Sequence, residues 1–475
     1  MTEQTLRKMS VGGIYDHIGG GFHRYAVDAE WRVPHFEKML YDQAQLVNSY
    51  LDLYQITKDP LYGAVVNEVL DYVLRDMTGA GGGFFSAEDA DSPRPENPEE
   101  SGEGAFYVWS KKEILGVLGD EAGDLFCYYY GVEEAGNAPF DPQNEFTGKN
   151  ILYVAQSLAE TSRKFGKSED AARLILERSR KQLFDVRARR PRPHLDDKIL
   201  TAWNGLMIGA LAHASQVLDE PRYLQAAQRS AEFIFEHLYD PNSRTLRRRY
   251  REGEAKYEAH LDDYAFLTQG LLDLYEASLD FTWLQKAVDL TTSELELFWD
   301  HEHGGFFDTS GKDSSILTRL KEQYDGAEPT GNSVAAMNLL RLSEMTDNRE
   351  WRTKAGQTIS VFAGSLEAQP VVMPQMVAAL DFSINKPKQI IIAGRHEDAE
   401  TKKLLKEVFG RYLPNKIILF ADGAVQQKKL AAYLPFLATL SMVNGKPTAY
   451  ICQDYVCQLP TSDLAIVAKL LDERN

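Results

Sequence analysis

The sequence predicts a mainly α fold of helical hairpins, followed by a small α/β unit. Three observations carry this: a gapless internal repeat, an alternation of more and less apolar helices, and a change of pattern near Asn385. Four segments align over their first turns: "YDQAQLVNSYLDLYQITKDPLY" from Tyr41, "AWNGLMIGALAHASQVLDEPRY" from Ala202, "DDYAFLTQGLLDLYEASLDFTW" from Asp262 and "TGNSVAAMNLLRLSEMTDNREW" from Thr330. Each holds an apolar helix, a polar turn such as Lys58-Asp59-Pro60 or Asp219-Glu220-Pro221, and then an aromatic. That aromatic falls 20 residues after Asp42, Trp203, Asp263 and Gly331 in turn.

A second helix follows each aromatic. After Tyr62 the apolar positions Val65, Val66, Val69, Leu70, Val73 and Leu74 recur at three and four, which lines one helix face. The unit is an αα-hairpin. The first helix of each pair is apolar nearly all round (Leu206, Met207, Ile208, Leu211), whereas the second carries charge on one face (Arg222, Gln225, Arg229). Buried inner helices inside amphipathic outer ones satisfy both patterns. A closed ring and an open superhelix both meet this condition. The hairpins end alike, with "GGGFFSAEDAD", "RTLRRRY" and "HGGFFDTS" as tight turns into a short returning segment. Between Trp109 and Arg190 the pattern predicts one more hairpin, with a long insertion at "EEAGNAPFDPQNEFTGKN". The start supplies a lone amphipathic helix with Leu6 and Met9 on one face. The expected total is five hairpins and half of a sixth, over residues 1–384. Over 385–475 the apolar runs "QIIIAG", "NKIILFAD" and "TAYIC" alternate with helices, which reads as a small α/β domain.

A net charge of −18 argues against a nucleic-acid partner. The run Arg247-Arg248-Arg249 reads as a solvated turn. Three cysteines make no disulfide framework; Cys452 and Cys457, if on one strand, would point to opposite faces. A reducing, cytoplasmic setting is expected. No apolar run approaches the roughly 20 residues of a membrane span, so no membrane partner is expected. No cofactor or metal is called for.

The entries to the inner helices are the segments to inspect, because helix N-termini present unpaired N–H groups and positive dipole ends. The first entry holds His35, Glu37 and Asp42, with Trp31 before it. The second holds His194, Asp196 and Asp197, then Trp203 and Asn204. The third holds His260, Asp262, Asp263 and Tyr264. The last holds Tyr324, Asp325 and Glu328. The returning loop adds Glu88, Asp89 and Asp91, and the glycine-rich "GGIYDHIGGGFHRY" is expected to present His23 and Arg24 inward. Capping explains a single acid at each entry; it does not explain His, two acids and an aromatic together. The chemistry such a polar bowl suits is acid–base work on a sugar or glycoconjugate. His35, Glu37, Asp196, Asp197, Asp262 and Asp263 are the catalytic candidates, and the other named residues are substrate-binding candidates. For hydrolysis one acid of Asp196/Asp197 would oppose one of Asp262/Asp263; for epimerisation His35 and His194 would exchange protons. A non-catalytic binding scaffold is the alternative.

The stretches "GGIYDHIGGGFHRYAVDAEWRVPHFEKMLYDQAQL", "GGFFSAEDADS", "RPHLDDKILTAWNGLMI", "HLDDYAFL" and "YDGAEPTGNSVAA" resemble the DUF255 family. This is the YyaL-like, spermatogenesis-associated-protein-20-like group of thioredoxin domain-containing proteins. The resemblance covers essentially the whole chain. It implies an (α/α)6 toroid similar to six-hairpin glycosidases and N-acylglucosamine 2-epimerases. Family members carry a thioredoxin-like domain with a cysteine motif, then the first inner helix. This chain shows neither and reads as starting at the outer helix of the first hairpin. Redox activity is therefore not expected of it, and a thioredoxin-like module is an expected partner.

Overall fold

The computed structural model describes residues 1–139, 141, 145–312, 316–453 and 456–473; part of the insertion expected around residues 133–150 lies outside them. The fold class is the expected one: mainly α, built of helical hairpins, with a small C-terminal α/β part. The chain forms two compact units. The first comprises residues 1–50, 60–78 and 85–197, and the second 51–59, 79–84 and 198–475, so the C-terminal α/β segment falls within the second.

The inner helices are α2 (Leu40–Thr57), α8 (Thr201–Leu218), α10 (Leu261–Ser278) and α12 (Gly331–Thr346), and their outer partners are α3 (Pro60–Asp76), α9 (Pro221–His237), α11 (Phe281–Phe298) and α13 (Arg349–Val361). Each inner helix ends at a left-handed residue, Lys58, Asp219, Leu279 or Asp347, with φ between 51° and 59°. The outer helix starts two residues later in every case. A left-handed residue ends the helix and frees its carbonyls for capping; proline at the first position of α3 and α9 then suits a helix start. The repeated aromatics Tyr62, Tyr223, Trp283 and Trp351 each stand third in an outer helix and are buried.

In the first unit α1 (Thr2–Val11) precedes a glycine-rich loop fixed by buried charge. Arg187 donates twice to Asp16 at 2.8 Å, and Lys38 donates to Asp16 and to the Gly20 carbonyl at 2.8 Å. Burying three charges is tolerable because each is paired and hydrogen-bonded. The single hairpin expected between Trp109 and Arg190 is instead four helices: α4 (Lys111–Leu118), α5 (Asp120–Tyr129), α6 (Leu158–Lys164) and the long α7 (Glu169–Arg187). The capping boxes Ser110–Glu113 and Ser157–Glu160 start two of them. Their core is Ile114, Leu125, Phe126, Leu176 and Leu183.

In the second unit α8 and α10 cross at Gly205 and Gly270. A Cβ on Gly205 would lie 2.5 Å from the backbone of Phe266 and Leu267, and one on Gly270 would strike the Gly205 carbonyl. After α12 and α13 come the short α14 (Ala363–Ala368), then α15 (Pro374–Ile384), which packs on α12. The C-terminal sheet has the order Lys416–Ala421, Lys388–Ala393, Thr448–Gln453, Val456–Cys457. Its first pair is parallel and is joined through α16 (Ala399–Phe409); the other pairs are antiparallel. The segment is completed by α17 (Val425–Ala431) and by α18 (Leu464–Asp472), which packs on the sheet. The cysteines correct the sequence reading. Cys452 and Cys457 lie directly opposite on neighbouring antiparallel strands and form a disulfide.

Gly205→Ala is expected to destabilise the chain by roughly 1–3 kcal/mol, because the obstruction is backbone that no rotamer relieves; thermal unfolding reads it. Glu294, on α11, is buried, and its Oε1 has no hydrogen-bond partner among the described residues. Burial alone pushes its carboxyl up to about 8. An acid raised on folding adds stability below its unfolded value and loses it as pH rises toward the folded one. Relative to Glu294→Gln, the wild-type chain is expected to lose roughly 2–4 kcal/mol between about pH 5 and pH 8, read by urea denaturation across that range.

Candidate functional site

One device places three of the four inner-helix entries. In the first unit the Gln43 amide, in the first turn of α2, donates to the Phe22 carbonyl and accepts its N–H, both at 2.8 Å. In the second unit Asn204 of α8 does the same to Phe84 at 3.0 and 2.8 Å, and Asn332 of α12 to Phe306 at 2.8 Å in both directions. Each phenylalanine follows a Gly-Gly turn. In α10 the place is taken by Tyr264, whose hydroxyl accepts the Leu246 N–H at 2.9 Å. Asn204 and Tyr264, expected to touch substrate, are therefore buried structural partners of the returning segments.

In the second unit the entries of α8, α10 and α12 assemble a polar group around Arg248. This arginine is on the strand Thr245–Arg251, not in a solvated turn. It binds Asp262 bidentately at 2.9 and 3.0 Å and reaches Asp263 at 2.7 Å. Asp263 is fully buried. One oxygen accepts the His260 N–H at 2.9 Å, capping α10, and the other accepts the Ala202 N–H at 3.0 Å, at the start of α8. Burial pushes its carboxyl up to about 8; the Asp262 charge adds to this, and Arg248 and the two N–H donors oppose it. Asp263 thus ties two helix starts together, and both of its oxygens are engaged. His260 is held below the usual imidazole range by burial and by Arg248.

Glu328 differs. It is half-buried and accepts the Trp203 indole N–H at 2.8 Å. Burial, then the Asp262 charge, push its carboxyl up to about 7, with the indole and Arg248 pulling the other way. Asp308 and Glu322 are also raised, chiefly by burial, and Asp262 contributes to both. Asp325 is buried and organises the start of α12, accepting from Thr330 N–H at 2.8 Å, Ser333 hydroxyl at 2.9 Å and Gln375 N–H at 2.9 Å. Tyr324 beside it is exposed.

In the first unit three singled-out segments form one small sheet. Lys38 pairs with Glu88 and Glu88 with Leu195, while Met39 pairs with Ala87 and Ala87 with Asp196. The Asp89 N–H bonds to the His194 carbonyl, and the Asp91 N–H to the Asp89 carboxylate. Glu88 is buried, accepting from Tyr72 at 2.8 Å and Arg192 at 2.6 Å. His194 is exposed and Asp197 half-buried. His35 Nδ1 lies 2.8 Å from Glu103 and Nε2 3.7 Å from Glu37, which pairs with Arg24 at 2.9 Å; the imidazole stacks on Tyr25. His23 is a correction: it is buried between Phe36 and Tyr107, bonded to the Phe36 carbonyl, and held by burial at about 3. Trp31 turns its carbonyl to the Ile14 N–H, and Asp42 lies in the first turn of α2.

Sequence reasoning missed Arg248, Asp308, Glu322 and Glu103. The first two lie in returning segments whose repeat was legible. In a strand, the middle of three arginines faces away from its neighbours. Glu322 and Glu103 carry no local signal. Among the described residues no cluster of three or more His, Cys, Asp or Glu side chains is arranged to hold a metal ion, and no helix is long and apolar enough to cross a membrane.

The class these features define is a helical-hairpin protein with carboxyl groups gathered at helix entries. The chain is 41% identical over 491 residues to spermatogenesis-associated protein 20 of Homo sapiens, covering 99% of this chain. It is 40% identical to the Mus musculus protein of that name and 35% identical to an uncharacterized protein of Caenorhabditis elegans, each over all of this chain. It spans 62% of the length of the human and mouse relatives. No family model matches it. Among solved structures, it is similar to cellobiose 2-epimerase from Bacillus thermoamylovorans, with TM-score 0.44 and 10% identity over 75% of this chain and 67% of that one. It is also similar to a D-mannose isomerase, with TM-score 0.35 and 12% identity over 75% and 84%.

Asp263→Asn is expected to lower stability by about 1–3 kcal/mol, because an amide cannot accept at both helix starts and from Arg248; thermal unfolding without substrate measures it.

Proposed function

We propose that the second unit carries an acid–base site for a carbohydrate, with Glu328 as general acid and Asp262 as its partner carboxylate. The observation that supports this is the difference between the two environments. Glu328 keeps its proton up to about 7 through burial and the nearby Asp262 charge, while Asp262 is paired to Arg248. Two carboxyl groups in unlike environments within one site are what glycosidic cleavage uses. Glu328 gives its proton to the leaving oxygen as the C–O bond breaks. Asp262 takes a proton from the water that attacks the anomeric carbon. The assignment departs from the expected opposition of Asp196/Asp197 to Asp262/Asp263: Glu328 replaces the first pair, and Asp262 is chosen over Asp263 because Asp263 is fully buried on two backbone N–H groups, whereas Asp262 is partly exposed and held by the Arg248 side chain. We further propose that the chain belongs to the DUF255 family, on the strength of its similarity to spermatogenesis-associated protein 20.

Turnover of aryl glycosides and disaccharides, read by release of reducing sugar, tests the assignment. Wild-type activity is expected to fall as pH rises through about 7, where Glu328 loses its proton. Glu328→Gln is expected to lose roughly 10²–10⁴-fold in kcat while still binding. A glutamine variant with wild-type turnover removes Glu328 from the role, and a wild-type chain that binds sugars without cleaving them favours a binding scaffold.

A further inference from the structure

One position in the inner helices is not dictated by the repeat. It stands one residue before the clamp side chain, and it holds Asp42 in α2, Asp263 in α10 and Gly331 in α12. In α8 it holds Trp203. The fold therefore does not require a large aromatic there, and Trp203 is only half-buried. Its backbone is nevertheless fixed on both sides. The Thr201 hydroxyl donates to the Arg247 carbonyl at 2.6 Å, the Ala202 N–H donates to Asp263 at 3.0 Å, and Asn204 clamps Phe84. The start of α8 sets where the indole stands, with no ligand needed to place it.

The indole N–H donates to Oε2 of Glu328 at 2.8 Å, and this is the only hydrogen bond that the described residues give that carboxyl. An indole nitrogen donates and cannot accept. Oε2 must therefore offer it a lone pair whether the carboxyl is charged or neutral. In the neutral acid the proton is left to Oε1. Without the indole, the carboxyl can turn about its terminal bond and exchange its two oxygens.

We propose that Trp203 is a positioning residue for the acid: its indole holds Oε2 of Glu328, so that the proton given to the leaving oxygen sits on Oε1. The inference rests on the acid–base reading above and adds the residue that orients its acid. The groups around Glu328 set the direction of the effect. Burial, then Asp262 of α10 and Glu322, raise its carboxyl; the indole and Arg248 lower it. A donor favours the charged form of the acid it touches. Loss of the indole N–H therefore moves the Glu328 carboxyl up, and the alkaline limb of activity moves to higher pH with it. Loss of packing alone would lower turnover without that shift.

NMR and kinetics of the full chain test this. The Trp203 indole N–H resonance is identified among those of the six tryptophans as the one missing from Trp203→Phe. In wild type it is expected to shift with pH through about 7, and in Glu328→Gln to stop doing so. Trp203→Phe keeps a ring and removes the donor. It is expected to lose roughly ten- to a hundredfold in kcat at about pH 6, with KM within about twofold. Its alkaline limb is expected to lie about one pH unit above that of wild type. An indole resonance that ignores Glu328 overturns the proposal, and so does a Trp203→Phe limb that stays in the wild-type place. An indole that titrates with Glu328 in a chain that cleaves no glycoside keeps the hydrogen bond but removes the acid–base reading, and the positioning role falls with it.

Discussion

The structure depends on a hydrogen-bonded clamp between the first turn of an inner helix and the segment that returns from an outer one. Gln43, Asn204 and Asn332 each satisfy both backbone groups of a buried phenylalanine, and Tyr264 satisfies the N–H of Leu246. A buried peptide group left unpaired costs about 1–3 kcal/mol. Phe22 and Phe306 bridge to Tyr15 and Trp299, but their flanking residues make those hydrogen bonds, so the helix side chain satisfies the phenylalanine's own N–H and carbonyl. The clamp sets where each entry begins, and with it where the carboxyl groups of that entry stand.

The same logic explains why acids at equivalent places do different work. Asp263 and Asp325 are drawn into backbone N–H groups and hold helix starts. Asp262 and Glu328, which cap nothing, are held by an arginine and an indole. Helix starts with unpaired donors attract carboxylates in any case; the residues left over from that demand are the ones open to chemistry. Arg248 joins the two groups, because it binds one acid of each kind.

Much of the fold was legible because it is repetitive. Apolar periodicity, the polar turns and the aromatic third in each outer helix mark the four regular hairpins, and Gly-Gly-Phe turns mark the returns of two of them. The stretch from Trp109 to Arg190 was less legible. Its four helices break the repeat, and three of them, of 8, 10 and 7 residues, give periodicity little to act on. Cys452 and Cys457 misled for a similar reason: their spacing suggests one strand, but they lie on two antiparallel strands that pair them directly.

The sequence by itself determined the hairpins, the inner and outer roles of the helices, and the gathering of acids at helix entries. Each of these follows from local periodicity and capping chemistry, which act over a few residues. Only the tertiary structure decided which acids are spent on capping, that His23 is a buried neutral side chain, and that Arg248, Asp262 and Glu328 form one group. Residues 248, 262 and 328 are far apart in the chain. The pairing of their charges is a matter of distance and burial, which no spacing along the sequence encodes.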